Sequence, residues 1–404
     1  MLQQFSKKAK FSALFLFLSY SLYSLFTFGL TTPNLILISQ KWFADFQYFM
    51  WEIFFHNRQL TVIVYLALIS LIWLATWLLL KNLTCKLNLK NSLIILLFII
   101  SPLILSYNAL SADVFNYIFN AKMVVYYQAN PHQKTAIDYS YDDWTRFMHN
   151  VHTPAPYGYG WTIFSLIPYC LSFNKFTLTW MIFRILSVIS LILLLIITFA
   201  LAKKTKIKLT WQKLGWIIFN PLLLIEIVSN SHNDLWMMIP ALWSLLLILK
   251  NKNNLKWKNL LLSVLLLGFS ISTKMATLVI TPIWFGLLVA QLKPKLMKNS
   301  LGKLFLENWP TITSILMFLP LLTPRSKQFL PWYLTWALVF LPLCKNKIWK
   351  TLLISLSFSS LLRYLPWMLN NAYSPEIIVQ QKYVTWLLPI PLLLFIRLGK
   401  KYKS

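Results

Sequence analysis

The sequence predicts an all-α polytopic integral membrane protein with about 12 to 13 transmembrane helices, counted at about 20 residues per crossing. Three observations lead there. Of 404 residues, 58% are hydrophobic and 12% are charged. Mean hydropathy is +0.62, which excludes a soluble domain, where about a quarter of residues carry charge. Long apolar runs also alternate with short basic clusters.

The apolar runs fall near 11–30, 60–80, 92–106, 176–202, 211–229, 235–250, 257–272, 275–292, 303–322, 331–344, 351–369 and 383–398. A further run, 160–173, is short and is interrupted by Pro168. Sequence alone leaves open whether it crosses the membrane. Basic clusters separate the runs: Lys7 to Lys10, Lys81 to Lys90, Lys203 to Lys213, Lys250 to Lys258, Lys293 to Lys303, Lys345 to Lys350 and Arg397 to Lys403. With twelve spans every cluster falls on one side, and Lys and Arg bias in short loops makes that side cytoplasmic, with both termini on it. The net charge of +28 therefore reads as topology and membrane anchoring, not as a nucleic-acid surface. Three scattered cysteines, Cys85, Cys170 and Cys344, predict neither a disulfide framework nor a thiolate metal site. Gly158 and Gly160 form a GYG that fails as a dinucleotide fingerprint at its third glycine.

Eight of the ten acids, Asp45, Glu52, Asp113, Asp138, Asp142, Asp143, Asp234 and Glu376, fall in loops on the opposite, external side. Glu226 lies near the external end of its run, and Glu307 at a cytoplasmic end. The polar chemistry is expected outside. The longest polar stretch, 107–159, contains SADVFNYIFNAK, in which Asp113, Asn116, Tyr117 and Asn120 recur at i, i+3, i+4 and i+7. This spacing predicts an amphipathic helix at the outer interface, with Ser111 as N-cap and Asn130-Pro131 as its stop. His132, His149 and His152 share the loop with three acids. No tight ligand motif accompanies them, so no metal or other cofactor is expected, although the acids could take up a divalent cation.

Later in the chain, SHND places His232, Asn233 and Asp234 in a row at the outer rim. Lys274 falls outside against the charge bias, where it could neutralise a phosphate at headgroup level. Arg325 and Lys327 make a second external cation pair before PWYLTW. Such a face suits a phosphorylated lipid that carries a sugar. The chain has no DxD for a nucleotide sugar, and a phosphate leaving group needs little protonation. One carboxylate to deprotonate the acceptor then suffices.

The order of SADVFNYIFNAK, NPH, a His-rich loop and a Tyr-Gly entry at Tyr157 resembles the GT-C class of polyprenyl-phosphate-sugar glycosyltransferases. SHNDLWM, STKMATL and FLPWYLTW are more narrowly similar to its bacterial mannosyltransferase branch, which includes the α-(1→6)-mannopyranosyltransferases. The likeness spans roughly 92–345. It implies that Asp113 is the catalytic base. It also implies a GT-C fold and a polyprenyl phosphate sugar donor, with mannose as the sugar. Ala112 departs from the class, in which a second acid often precedes the Asp. The expectation is one transmembrane glycosyltransferase domain over 1–404, with an external catalytic loop at 107–159, in the cytoplasmic (plasma) membrane. Lys274, Arg325 and Lys327 would hold the donor phosphate. Asn116, Tyr117, His132, His149, His152, Tyr157, His232, Asn233, Asp234, Trp332 and Tyr333 would bind sugar or acceptor, a glycan or glycolipid, with His232 to Asp234 alternatively supporting Asp113. Transfer from a β-linked donor in one displacement would invert the anomeric centre. The other reading of the same features is a transporter or flippase of polyprenol-linked saccharides.

Overall fold

The computed structural model describes residues 5–31, 35–249, 256–323, 329–372, 374–387 and 389–390. Among these residues there are helices and no strands. In chain order they are α1 (Lys7–Phe28), α2 (Lys41–Phe54), α3 (Arg58–Asn82), α4 (Leu89–Ile104), α5 (Asp113–Val125), α6 (Tyr159–Leu171), α7 (Phe176–Lys204), α8 (Trp211–Ile218), α9 (Pro221–Leu224), α10 (Asp234–Leu249), α11 (Trp257–Thr273), α12 (Thr281–Leu292), α13 (Ser300–Phe318), α14 (Thr335–Leu338), α15 (Lys347–Leu362), α16 (Leu365–Asn370) and α17 (Pro375–Leu387). Side chains that free these helix starts from orphaned N–H groups come from short polar residues: Ser6, Asn57, Asn88, Thr210, Asn299 and Asn346 each accept from the first turn that follows.

Seven helical stretches among the described residues are long and apolar enough to cross a membrane, and three shorter apolar helices, α4, α10 and α11, accompany them. Leu18, Leu22 and Leu25 on α1, and Leu261, Val264 and Leu265 on α11, point outward and exposed. That surface is stable only against lipid, and the chain is a multi-pass membrane protein.

One expected span comes out differently. The run 331–344 is not one helix: a 3-10 turn at Pro331–Leu334 leads into the single turn of α14. Fourteen residues are too few for a crossing helix, and Pro342 stops α14 from continuing. From Leu334 to Cys344 every side chain is buried, the condition under which irregular backbone is tolerated at membrane depth. Most of the run 383–398 lies outside the described residues. The open question of 160–173 is answered by α6, whose thirteen residues reach only about 20 Å. Its start bonds Thr273 through Gly158 N at 3.0 Å. Its end turns directly into α7, whose first turns bond Leu37 and Asn108. Both ends therefore sit at the same end of the bundle.

The basic loops gather at the other end. Asn82 donates to Ser12 at 2.9 Å, Trp211 Nε1 to the Cys85 carbonyl at 2.8 Å, Lys213 lies near Lys350, and Lys345 pairs with Glu307 at 3.7 Å. Four basic clusters thus share one face, as their alternation in the sequence predicts.

The helix predicted around Asp113 exists, but it is not laid on a surface. From Val114 to Met123 every residue is buried. Its apolar side packs Phe115 and Phe119 into an aromatic cluster with Phe147, Trp161 and Phe183. Its polar side faces protein. The N-cap position is Ala112, with Ser111 Oγ accepting from Asp113 N at 3.3 Å, and the helix stops at Val125, short of Asn130.

Arg184 of α7 fixes this end of the fold. It is fully buried, and among the described residues no carboxylate pairs with it. Its guanidinium donates to the Ser106 carbonyl at 3.0 Å, to Asn108 Oδ1 at 2.7 Å, and to the carbonyls of Val228 and Ser229. These carbonyls lie at the C-terminal ends of two helical stretches, where the backbone dipole is negative. Replacing Arg184 with Met would orphan several buried acceptors, each costing about 1–3 kcal/mol. The expected outcome is a melting temperature in detergent lowered by several degrees; an unchanged melt would show that the clasp contributes nothing.

Candidate active site

Three irregular segments converge beside Arg184. Ser106 to Ala112 delivers Asp113 at the first turn of α5. A π-helical turn, Ile225–Ser229, leads into Ser231, which takes a left-handed φ of 58°. A non-glycine residue held there is strained, and strain of this kind concentrates at functional sites. It aims His232 back toward the chain it has just left. The turn at Pro331–Leu334 supplies the third wall.

His232 is fully buried between two carboxylates. Its Nδ1 lies 3.4 Å from Asp113 Oδ2, and its Nε2 lies 3.3 Å from Glu226 Oε2. These are ion-pair separations without hydrogen-bond alignment. The ring stacks on Trp332 with centroids 3.9 Å apart and planes 18° apart. Glu226 is held in turn by Tyr364 Oη at 2.8 Å and Asn230 Nδ2 at 2.9 Å. The Asp113 side chain, at 18% exposure, is the open end of this line.

Beside it lies a second ion pair. Lys274 Nζ donates to Asp234 Oδ1 at 2.8 Å, and Trp336 Nε1 donates to the same oxygen. The ammonium sits 5.6 to 5.9 Å from the ring centres of Tyr157, Tyr333 and Trp336, within reach of their negative faces. Tyr157 is brought there by Gly158. A Cβ at 158 would lie 1.9 Å from the Ser272 carbonyl oxygen, so only glycine lets the Tyr157 segment close against Thr273 and Lys274.

Of the residues expected at the site, Asp113, Tyr117, Tyr157, His232, Asp234, Lys274, Trp332 and Tyr333 meet here. Asn116 and Asn233 are buried next to them; Asn116 Oδ1, both polar atoms of the Asn233 side chain and Asp234 Oδ2 find no hydrogen-bond partner among the described residues. His149 is near enough to feel the Asp113 charge. His132 bonds Thr162 at 2.9 Å and lies tilted against the Tyr159 ring, and His152 is exposed. Arg325 and Lys327 lie outside the described residues. The loop acids serve local structure: Asp138 bonds the Thr135 backbone, and Asp142 caps Trp144 while pairing with buried Lys122 and Tyr127. No group of three His, Cys, Asp or Glu side chains is arranged to hold a metal ion among the described residues. Glu226, Trp336, Arg184 and Tyr364 were missed as site residues. An acid inside an apolar run was the available signal for Glu226.

Burial opposes charge on both partners of the central pair, yet the pair prevails. Burial pushes the Asp113 carboxyl up, but His232, Lys274 and Tyr157 together hold it below its ordinary value. Burial pushes His232 down, but the Asp113 and Glu226 carboxylates push it up to about 9. Both shifts favour the charged pair, an Asp113 carboxylate beside a His232 imidazolium.

The class is now defined: an all-α polytopic membrane protein with acid–base groups and a boxed ion pair gathered at one end of its bundle. The chain belongs to the alpha-(1→6)-mannopyranosyltransferase family, whose N-terminal domain matches residues 25–291. It is therefore a mannosyltransferase, acting on a sugar donor and an acceptor in a membrane setting. The match takes in Asp113, Glu226, His232, Asp234 and Lys274 and ends before Trp332. No curated protein and no solved structure matches the chain.

Two outcomes follow from this geometry. The folded value of His232 lies above the ordinary 6.5, so its stabilising contribution is full below that pH and is lost as pH rises through about 9. Asp113 behaves oppositely: its contribution is present above the ordinary 3.8 and is lost as pH falls through its lower folded value. The melting temperature should thus drop between pH 7 and pH 10 by more in the wild type than in His232→Gln; equal drops would contradict the buried imidazolium. Gly158→Ala should reduce turnover by at least about tenfold, because a misplacement near 1 Å at a site has effects of that size or larger. Turnover at the wild-type level would show that the close approach to Ser272 is dispensable.

Proposed function

We propose that this mannosyltransferase takes mannose from a polyprenyl phosphate donor and transfers it to a lipid-linked or cell-surface glycan, at the outer face of the cytoplasmic membrane. The observation that carries the reading is Asp113: a carboxylate held ionised by His232, partly open, at the end of the bundle away from the clustered lysines. Positive charge marks the cytoplasmic side, where nucleotide sugars are found. A site on the far side calls for a donor that arrives within the bilayer.

In the proposed reaction the acceptor hydroxyl gives its proton to Asp113 as its oxygen attacks the anomeric carbon. The bond from that carbon to the phosphate oxygen breaks, and its electron pair leaves on the phosphate. One displacement on a β-linked donor yields an α-linked product. Lys274 offers its remaining N–H donors to the phosphate, with its own charge already balanced by Asp234. The unpaired polar atoms of Asn116, Asn233 and Asp234 suit sugar hydroxyls, since each orphan costs about 1–3 kcal/mol until a partner arrives.

The test uses purified protein in liposomes with radiolabelled polyprenyl phosphate mannose and a glycan acceptor. Asp113→Asn should lower turnover by about 100- to 10,000-fold, the usual scale for losing a general base. Lys274→Met should depress turnover more than donor affinity. Near wild-type turnover in Asp113→Asn would remove Asp113 as the base. Transbilayer movement of the lipid without sugar transfer would favour a flippase.

A further inference from the structure

We propose that Glu226 and His232 are positioning residues for Asp113: Glu226 keeps the His232 ring doubly protonated, and the ring keeps the Asp113 carboxylate oriented toward the acceptor hydroxyl. The inference rests on Asp113 being the base.

Counting protons gives the physical reason. Each ring nitrogen of His232 faces a carboxylate oxygen, at 3.4 and 3.3 Å. A neutral imidazole has one N–H, so one nitrogen lone pair would confront a carboxylate in a dry interior. Only the doubly protonated ring offers a donor to both. Remove the charge of Glu226, and the ring needs only one proton.

The surrounding structure holds the three groups in line. Glu226 and His232 are both fully buried. His232 N donates to the Glu226 carbonyl at 3.1 Å, and Asn230 N to the Ile225 carbonyl at 2.9 Å, so the widened π turn folds the histidine back over the glutamate. Ser231 absorbs the reversal with its positive φ, and Trp332 stacks across the ring. Tyr364 and Asn230 fasten the glutamate. A π turn, a strained residue and a buried acid in one apolar run form a costly arrangement, and π turns recur at functional sites. The outcome is that Asp113 Oδ2 is tied to the ring. The ring's two protons are conserved through the reaction, and the acceptor's proton goes to Asp113.

The experiment is a double-mutant cycle in the liposome transfer assay, with melting temperature measured for every variant. Glu226→Gln keeps the size, leaves one oxygen to accept from Asn230 Nδ2, lets its amide N–H donate to Tyr364 Oη in place of the bond accepted there, and removes the charge. It should lower kcat by about 10- to 100-fold, the usual scale for a partner that orients a reacting group, with donor KM within about twofold. His232→Gln should lose at least as much, and the double variant no more than His232→Gln alone, because Glu226 acts through the ring. Tyr364→Phe keeps the carboxylate and loosens it. It should cost a smaller factor in kcat, absent in the His232→Gln background, and it tests the same coupling should Glu226→Gln fail to fold. Wild-type kcat in Glu226→Gln, or losses that simply multiply, would overturn the proposal. Asp113→Asn separates the two readings: full turnover there sinks the base assignment, whereas its loss alongside an innocuous Glu226→Gln sinks only the relay.

Discussion

A single buried guanidinium underlies the geometry of the site. Arg184 reaches the carbonyls that end α4 and those that end the π turn, and these two chain segments carry Asp113 and His232 respectively. In a lipid-embedded bundle every backbone polar group must find a partner inside the protein. Helix ends that stop within the fold would leave carbonyls bare. Arg184 satisfies them from the side, which allows both segments to leave helical geometry and to present side chains toward each other. Arginine suits this better than lysine, because its planar fork serves several acceptors at once.

The charges of the site follow from that placement. Three acids, Asp113, Glu226 and Asp234, face two cations, His232 and Lys274, within an enclosure walled by Tyr157, Trp332, Tyr333 and Trp336. Low polarity strengthens each of these attractions and raises the cost of leaving any group alone. Lys274 is therefore not the isolated cation that its sequence context suggests. Its partner, Asp234, comes from the SHND row, forty positions earlier. Family membership makes the chain a mannosyltransferase, and Asp113, the partly open member of this group, is the carboxylate we propose takes the proton of the incoming hydroxyl.

Much of the fold was legible because lipid imposes a simple rule on sequence. The runs forming α1, α3, α7 and α13 stand out by length and hydropathy, and the lysines between them mark one face, as the contacts of Ser12 with Asn82 and of Cys85 with Trp211 bear out. The helix opening at Asp113 was legible from its spacing. Its burial was not, since a polar stripe facing protein and one facing water have the same periodicity. The segment 331–344 misled for a related reason: interior side chains are apolar whatever the backbone does. Asp113, His232 and Asp234 stood out as polar residues in a chain with few of them. Their pairing did not, because Glu226 meets His232 only through a π turn and a left-handed serine, neither of which hydropathy registers.

The decisive measurement is mass spectrometry of the products formed when the purified protein is given a glycan acceptor from membranes and one of two donors, polyprenyl phosphate mannose or a nucleotide-linked mannose. A chain whose carboxylate line lies away from the clustered lysines should, on the proposed function, add one hexose to the acceptor from the lipid donor alone and release free polyprenyl phosphate. Transfer from the nucleotide sugar, with the lipid donor left intact, would contradict it.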